Sequence, residues 1–357
     1  MFGDRTLARR GGLSGYTGGM TVVGMLLLAG AFALLPGRAA AQGVEAVGMR
    51  ALGMGGAFVA VADDASATYW NPAGLVTGAV FSAVAEGGRG KLENAPLPLA
   101  GAGTPVGFSQ QGSALVALGT WPLGVTAYRL SEATARVVQP GGQPVAAQSS
   151  AAVQRLTTTH LGVNVLQSIV SGLHVGATIK YVHGSAGVAG LTPAPDDPLA
   201  VARGIDTRGN HRFDLDAGVI ADLRTVKLGL TVRNLLQPEF DTGLEAMRLQ
   251  LPRQVRAGMA VRAGDTLMVS LDADLTRTPD VTGERRSLAA GAEQRLLEDR
   301  VAVRAGFRIS TAGDTRPVVT TGGSISLRGG IFADGYLAVG LSERAADGFG
   351  AGLRVVF

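Results

Sequence analysis

From about residue 79 to the carboxyl end, apolar side chains fall on every second position rather than at helical spacing. Phe213, Leu215, Ala217, Val219, Ala221 and Leu223 alternate with Asp214, Asp216, Gly218, Ile220, Asp222 and Arg224. Leu267, Val269, Leu271, Ala273 and Leu275 alternate with Met268, Ser270, Asp272, Asp274 and Thr276. Val301, Val303, Ala305, Phe307 and Ile309 do the same against Ala302, Arg304, Gly306, Arg308 and Ser310. Successive side chains of a strand point to opposite faces, so these dyads predict strands with one apolar face. The pattern places strands at 79–89, 114–120, 124–130, 156–169, 173–185, 211–224, 226–236, 251–263, 266–277, 287–297, 300–311, 317–328, 331–343 and 348–357. That is about fourteen.

The connections alternate as well. Those at 90–113, 131–155, 186–210 and 237–250 are long and rich in Gly, Pro and Asp, whereas Pro122-Leu123, Ser171-Gly172, Gly264-Asp265 and Gly329-Gly330 leave room only for tight turns. Long loops on one side and short turns on the other predict an all-β fold, a transmembrane antiparallel β-barrel over residues 79–357. A secreted β-sandwich also alternates apolar with polar positions, but it requires neither an even strand number nor loops lengthened on one side only. In a barrel, Arg256, Arg262, Asp272, Asp274, Arg304, Arg308 and Arg354 line the lumen, where water and opposite charges solvate them. Aromatic residues are 5% of the chain, thin for two interfacial girdles, although Tyr128, Tyr181, Phe240, Phe332, Tyr336 and Phe349 fall near strand ends.

Upstream of the strands lies one continuous apolar run, Thr21 to Leu35, preceded by arginines and followed by Ala39-Ala40-Ala41. It reads as a signal peptide over residues 1–41, cleaved before Gln42, and is short for a membrane-spanning helix. An exported chain of positive mean hydropathy without a second such run has only strands with which to cross a membrane. The net charge of +4 comes largely from the leader: removing Arg5, Arg9, Arg10 and Arg38 against Asp4 leaves roughly +1. No nucleic-acid partner is expected.

The 357 residues include no cysteine, which excludes disulfides, cysteine zinc sites and thiol catalysis. His160, His174, His183 and His211 lack metal-ligand spacing, and no metal or cofactor is expected. Gly53 to Ala57 superficially matches a dinucleotide loop, but Phe58 stands where a third glycine is needed. Ser171 or Ser185 near His174 and His183 are the sole candidates for hydrolytic chemistry, without the G-x-S-x-G turn that would expose a nucleophile, so the chain is not read as an enzyme.

Residues 50–75 read RALGMGGAFVAVADDASATYWNPAGL. In Gly53, Gly55, Gly56, Asp63, Asp64, Asn71, Pro72, Ala73 and Gly74 this segment resembles the amino-terminal signature of FadL-like outer-membrane barrels, and within them the PorV/PorQ-type and TraF-like branch. The similarity continues loosely at Val232 to Leu236, Leu251 to Ala260 and Val301 to Phe307. Physically, Asp63 or Asp64 is placed to cap a short helix over Ala65 to Tyr69, and Asn71-Pro72 to end it. The glycines allow backbone to pass close to backbone.

The resemblance implies that residues 42–78 form a hatch inside the lumen and that the protein sits in the outer membrane of a Gram-negative-type bacterium. It implies uptake of hydrophobic small molecules, of the long-chain fatty acid or hydrocarbon type; the alternative is an interaction or secretion-associated role with a secreted or periplasmic partner, as in the PorV/PorQ type. Leu92, Leu97, Leu99 and Val106 in the first long connection are the candidate residues for capturing a hydrophobic ligand. The terminal Phe357 resembles the aromatic residue read by the outer-membrane assembly machinery, and outer-membrane lipid is the expected surroundings.

Overall fold

The computed structural model describes residues 38–39, 45, 47–97, 105–138, 149–245 and 247–357. Fourteen strands close into one antiparallel barrel. In chain order they are β1 (Phe81–Pro96), β2 (Val106–Thr120), β3 (Leu123–Val138), β4 (Ser150–Val170), β5 (Leu173–Leu191), β6 (Arg208–Asp222) and β7 (Val226–Arg233). There follow β8 (Gln254–Ala263), β9 (Leu267–Asp274), β10 (Ser287–Leu296), β11 (Val301–Ser310), β12 (Val318–Arg328), β13 (Ile331–Gly340) and β14 (Asp347–Val356). Each strand pairs with its sequence neighbour, and β14 closes the ring on β1 through the register Gly350↔Gly88. The backbones of Phe81 and Phe357 exchange hydrogen bonds of 3.1 and 3.0 Å beside that seam. Closure leaves no unpaired edge, as a lipid environment demands.

The period-two reading holds for the outer surface. Val269, Leu271 and Val303 are exposed at 45, 45 and 47%, whereas Asp272 and Arg304 point inward at 1 and 3%. The lumen departs from expectation in part: Arg256, Asp272, Asp274 and Arg304 are packed against protein rather than bathed in water, Arg308 and Arg354 are half-buried, and Arg262 is exposed. The aromatic positions also divide differently. Tyr181 and Phe349 lie outside with Trp121 and Phe213, but Tyr128 and Phe240 are buried within the barrel.

All fourteen predicted strands are present, and the first five run well beyond their predicted ends, β6 by only three residues at its start. β1 continues to Pro96 rather than 89, β2 begins at Val106 rather than 114, and β3, β4, β5 and β6 reach 138, 150, 191 and 208. Most of the connections predicted at 90–113 and 131–155, and the two ends of that at 186–210, are therefore paired sheet. Here the strands no longer face lipid, so the apolar alternation that betrays them stops while the hydrogen-bonded ladder goes on. Segments such as Glu86-Gly87-Gly88-Arg89-Gly90-Lys91 show this loss of pattern within β1.

The long connection after β5 holds helix α1 (Pro198–Gly204), whose first turn is capped by Asp197 accepting from the Ala200 N–H at 2.8 Å. The connection after β7 folds inward as a small antiparallel pair, Glu239–Asp241 with Arg248–Gln250. It delivers Phe240 onto Leu156, Val182 and Ala186 of β4 and β5. Of the leader, only Arg38–Ala39 is described, paired in parallel with Arg248–Leu249; the apolar run and the cleavage site lie outside the described residues.

Candidate functional site

Residues 47–78 lie inside the ring of strands, and nearly every one is buried. The segment contains two short helices, Met49–Gly53 and Ala67–Trp70, and a 3-10 turn at Gly74–Thr77. Trp70 packs edge-on against Phe58 and Tyr69, the indole N–H of Trp70 donates to Val47 O at 3.1 Å, and Leu115, Tyr128 and Leu166 of the wall complete the same core. The rest of its surface meets the barrel wall.

The wall makes room by omitting side chains. A Cβ on Gly306 of β11 would stand 2.1 Å from the Gly55 nitrogen, one on Gly176 of β5 would stand 2.4 Å from the Pro72 carbonyl carbon, and one on Gly218 of β6 would stand 2.0 Å from Asn71 Oδ1. Those approaches are closer than any side-chain atom permits, so glycine at these positions is a requirement of having backbone lie on backbone. Within the segment, Gly74 is needed for the same reason, since its Cβ would meet Ala62 O at 1.9 Å. Gly55 and Gly56 turn the chain with φ of +71 and +87°.

The signature residues divide by task. Asn71 donates from Nδ2 to Val59 O at 2.9 Å within the segment and to Val219 O of β6 at 3.1 Å, while its Oδ1 accepts from the Ala73 N–H at 3.2 Å. Asn164 of β4 donates to Pro72 O at 3.1 Å. Asp64 accepts from the Ser66 N–H at 2.9 Å and the Ser66 hydroxyl at 2.5 Å, shaping the turn before the helix rather than capping the helix itself. Asp63 pairs instead with Arg50.

Charges hold the opposite side. Arg50 makes a bidentate pair with Glu293 of β10, both bonds at 2.7 Å, and Glu293 also accepts from Arg304 of β11 at 2.7 Å. Glu45 pairs with Arg256 of β8 and, at 2.8 Å, with Arg285. Burial alone would raise the Glu45 carboxyl, but Arg256 and Arg285 outweigh it and hold that group well below the ordinary carboxylate range. Asp272 of β9 accepts the Phe58 and Val59 N–H groups at 2.8 and 2.9 Å. Bidentate and charge-assisted bonds of this kind are the strong ones, and here they are shielded from water.

A second charged cluster sits in the wall where β7 ends: Lys180 lies 2.8 Å from Asp214 and 2.7 Å from Asp216, and Arg233 lies 3.5 Å from the centre of the Tyr69 ring. Nothing in the sequence pattern marks these residues as a group, because they come from β5, β6, β7 and the segment inside.

The first connection differs from the surface groove expected of it. Leu92 and Ala95 pack with Val281 and Ala346 in a small core, and Leu97 is buried with its side chain against Gly107. Val106 pairs with Pro96 and Val137 in the sheet, and Leu99 lies outside the described residues. The run thus has a core to enter. Phe357 is exposed and stacked on Phe81 at 6.3 Å between ring centres.

The histidines do not assemble chemistry. His174 meets Ser168, His183 meets His211, and His160 is stacked on Tyr128, so neither Ser171 nor Ser185 has a histidine partner among the described residues. Among these residues there is also no group of three metal-ligating side chains.

Between the inner segment and the end of the barrel carrying the long connections lie two adjoining cavities of about 70 and 100 Å3. Leu52, Leu130 and Tyr336 give the first an apolar share, and Glu45, Gln111, Glu132 and Arg308 border both.

A closed fourteen-stranded barrel with an apolar exterior and an amino-terminal segment packed inside it defines a transmembrane-type β-barrel. Known proteins narrow this further. Residues 99–274 match the family described as F plasmid transfer operon, TraF, protein. In fold, the chain is similar to the Pseudomonas putida toluene transporter TodX, at 14% identity and a TM-score of 0.60, covering 87% of this chain and 97% of that one. The Ralstonia pickettii toluene transporter TbuX gives 14% and 0.58, covering 88% and 99%. A Pseudomonas aeruginosa FadL homologue gives 11% and 0.53, covering 86% and 97%. The architecture is that of FadL-like barrels. Comparison with curated protein sequences finds no match.

Proposed function

We propose that the protein is an outer-membrane barrel that admits small, largely apolar molecules through a lumen gated by residues 42–78 acting as a hatch. The observation that carries this reading is the buried inner segment with a chamber beside it: Glu45 and Leu52 of that segment border a cavity on the side of the long connections. A molecule entering from outside reaches that chamber first and passes inward only if the segment moves. The fold shared with transporters of toluene supports hydrocarbon-type cargo. Leu92 and Leu97 then serve as the apolar rim of the approach rather than as an exposed capture groove, and Phe357 as the mark read during insertion into the outer membrane.

The test is uptake of labelled toluene and of labelled oleate by cells carrying the protein in an outer membrane without another such transporter. Uptake above the vector control, raised further by Asn71→Ala as the segment is loosened from Val219 O, is expected. No uptake, together with co-purification of a secreted or periplasmic protein, would replace this reading with the interaction role. One observation favours that second reading: β1 to β6 extend beyond the lipid-facing belt as a continuous sheet, a surface on which a partner can dock.

A further inference from the structure

The chamber outside the hatch is built with charges left unspent. Its room comes from β1 and β14, which present Gly88, Gly90 and Gly348 where side chains would otherwise project. On one side stands Glu132 of β3, only 6% exposed, which is hydrogen-bonded to Gln111 but whose Oε2 has no hydrogen-bond partner among the described residues. On another stands Arg308 of β11, which makes no ion pair or hydrogen bond among the described residues. The counter-charge it feels most is Glu45, already engaged by Arg256 and Arg285.

A buried carboxylate oxygen without a partner is costly, Arg308 offers a half-buried cation on the same lining, and a ligand that pairs with both recovers the cost at Glu132. A hydrocarbon meets neither group. A simple carboxylic acid meets Arg308 but brings a second anion beside Glu132 and Glu45, and a simple amine meets Glu132 but brings a second cation beside Arg308. An apolar body with one group of each sign suits the whole lining, Leu52, Leu130 and Tyr336 included.

We propose that the two adjoining cavities together bind a small amphoteric molecule, its carboxylate on Arg308 and its ammonium on Glu132, which border both, and its apolar body against Leu52, Leu130 and Tyr336. The inference rests on the uptake reading for the chamber's place on the path, and adds the polarity of what is held there.

Titration calorimetry on the full-length protein in detergent tests it with four probes: L-phenylalanine, 3-phenylpropionate, phenethylamine and toluene. Phenylalanine should bind roughly tenfold or more tightly than either singly charged analogue, as two charge-assisted contacts exceed one. Glu132→Gln should erase its advantage over 3-phenylpropionate, and Arg308→Gln its advantage over phenethylamine. Each variant is first checked for the faster gel mobility of a folded, unheated barrel, and the wild-type series stands alone if a variant does not fold. Equal binding of 3-phenylpropionate or phenethylamine, or no binding of phenylalanine, overturns the proposal. Toluene binding and uptake without preference for phenylalanine removes this inference and keeps the uptake reading; phenylalanine binding without uptake by cells keeps the chamber and removes the transport reading.

Discussion

The barrel has a tall wall and a short one. Strands β1 to β6 are 15 to 21 residues long, while β7 to β14 are 8 to 11. A membrane-crossing strand needs roughly 9 to 11 residues, so the short wall ends near the membrane surface and the tall wall continues outside it. The hatch meets the two walls differently. On the tall side it is held by amide bonds and close backbone contact at Asn71, Pro72, Asn164 and Gly218. Glu86 of β1 adds a carboxylate accepting from the Gly48 and Met49 N–H groups on that side, and on the short side close contact at Gly306 is joined by a larger set of buried ion pairs through Arg50, Glu45, Arg256 and Glu293. Neutral contact depends on shape and is indifferent to acid, whereas buried ion pairs depend on charge and fail when a partner is protonated or removed.

The largest expected effect is on the short side. Arg256→Met keeps the volume but leaves Asp274 buried without its partner and Glu45 with Arg285 alone, at a cost of about 3–5 kcal/mol in denaturant unfolding of the detergent-solubilised barrel. An unchanged midpoint would mean that charge does not hold this side. Leu271→Arg, facing lipid near the middle of β9, should cost about 2–4 kcal/mol in bilayers. A neutral result there would reverse the assignment of inner and outer faces. Asn71→Ala removes the bonds to Val59 O and Val219 O and should cost about 1–3 kcal/mol. Bilayer recordings should show it loosening the hatch while the folded barrel keeps its gel mobility. The smallest effect belongs to Lys91→Ala: its pair with Glu93 is more than half exposed, so stability should change by less than about 0.5 kcal/mol.

The two walls were not equally legible in sequence. In the short wall, lipid on one side and packed charge on the other impose alternation along the whole strand, so β8 to β14 fall within a few residues of their predicted positions. In the tall wall, alternation marks only the lower part; above it Gly88, Gly90 and Glu132 serve a chamber and β1 to β6 lose their period. The hatch could be recognised by its signature residues, but not its anchors. Asp272, Glu293 and Gly218 lie 140 or more positions from the groups they meet, and each looks like an ordinary inward residue of a dyad. Leu92 and Leu97 misled for a related reason: an apolar run between strands looks exposed until Val281, from the far side of the chain, is brought against it.

Carboxylates fix the inner segment to the short wall, and under the proposed function that attachment keeps the lumen closed. Glu45, buried beside Arg256 and Arg285, is held well below the ordinary carboxylate range. A carboxyl whose folded value is depressed stabilises the folded arrangement above its unfolded value of about 4.3 and loses that contribution as pH falls toward the folded value. Conductance of the intact protein in planar bilayers, recorded from pH 7 down to pH 3, measures both parts of the claim. The account predicts a silent protein at pH 7 and openings that appear as the pH drops below about 4, at higher pH in Arg256→Met than in the wild type. A steady open-pore conductance at pH 7, or a barrel equally silent across the whole range in both proteins, would contradict it.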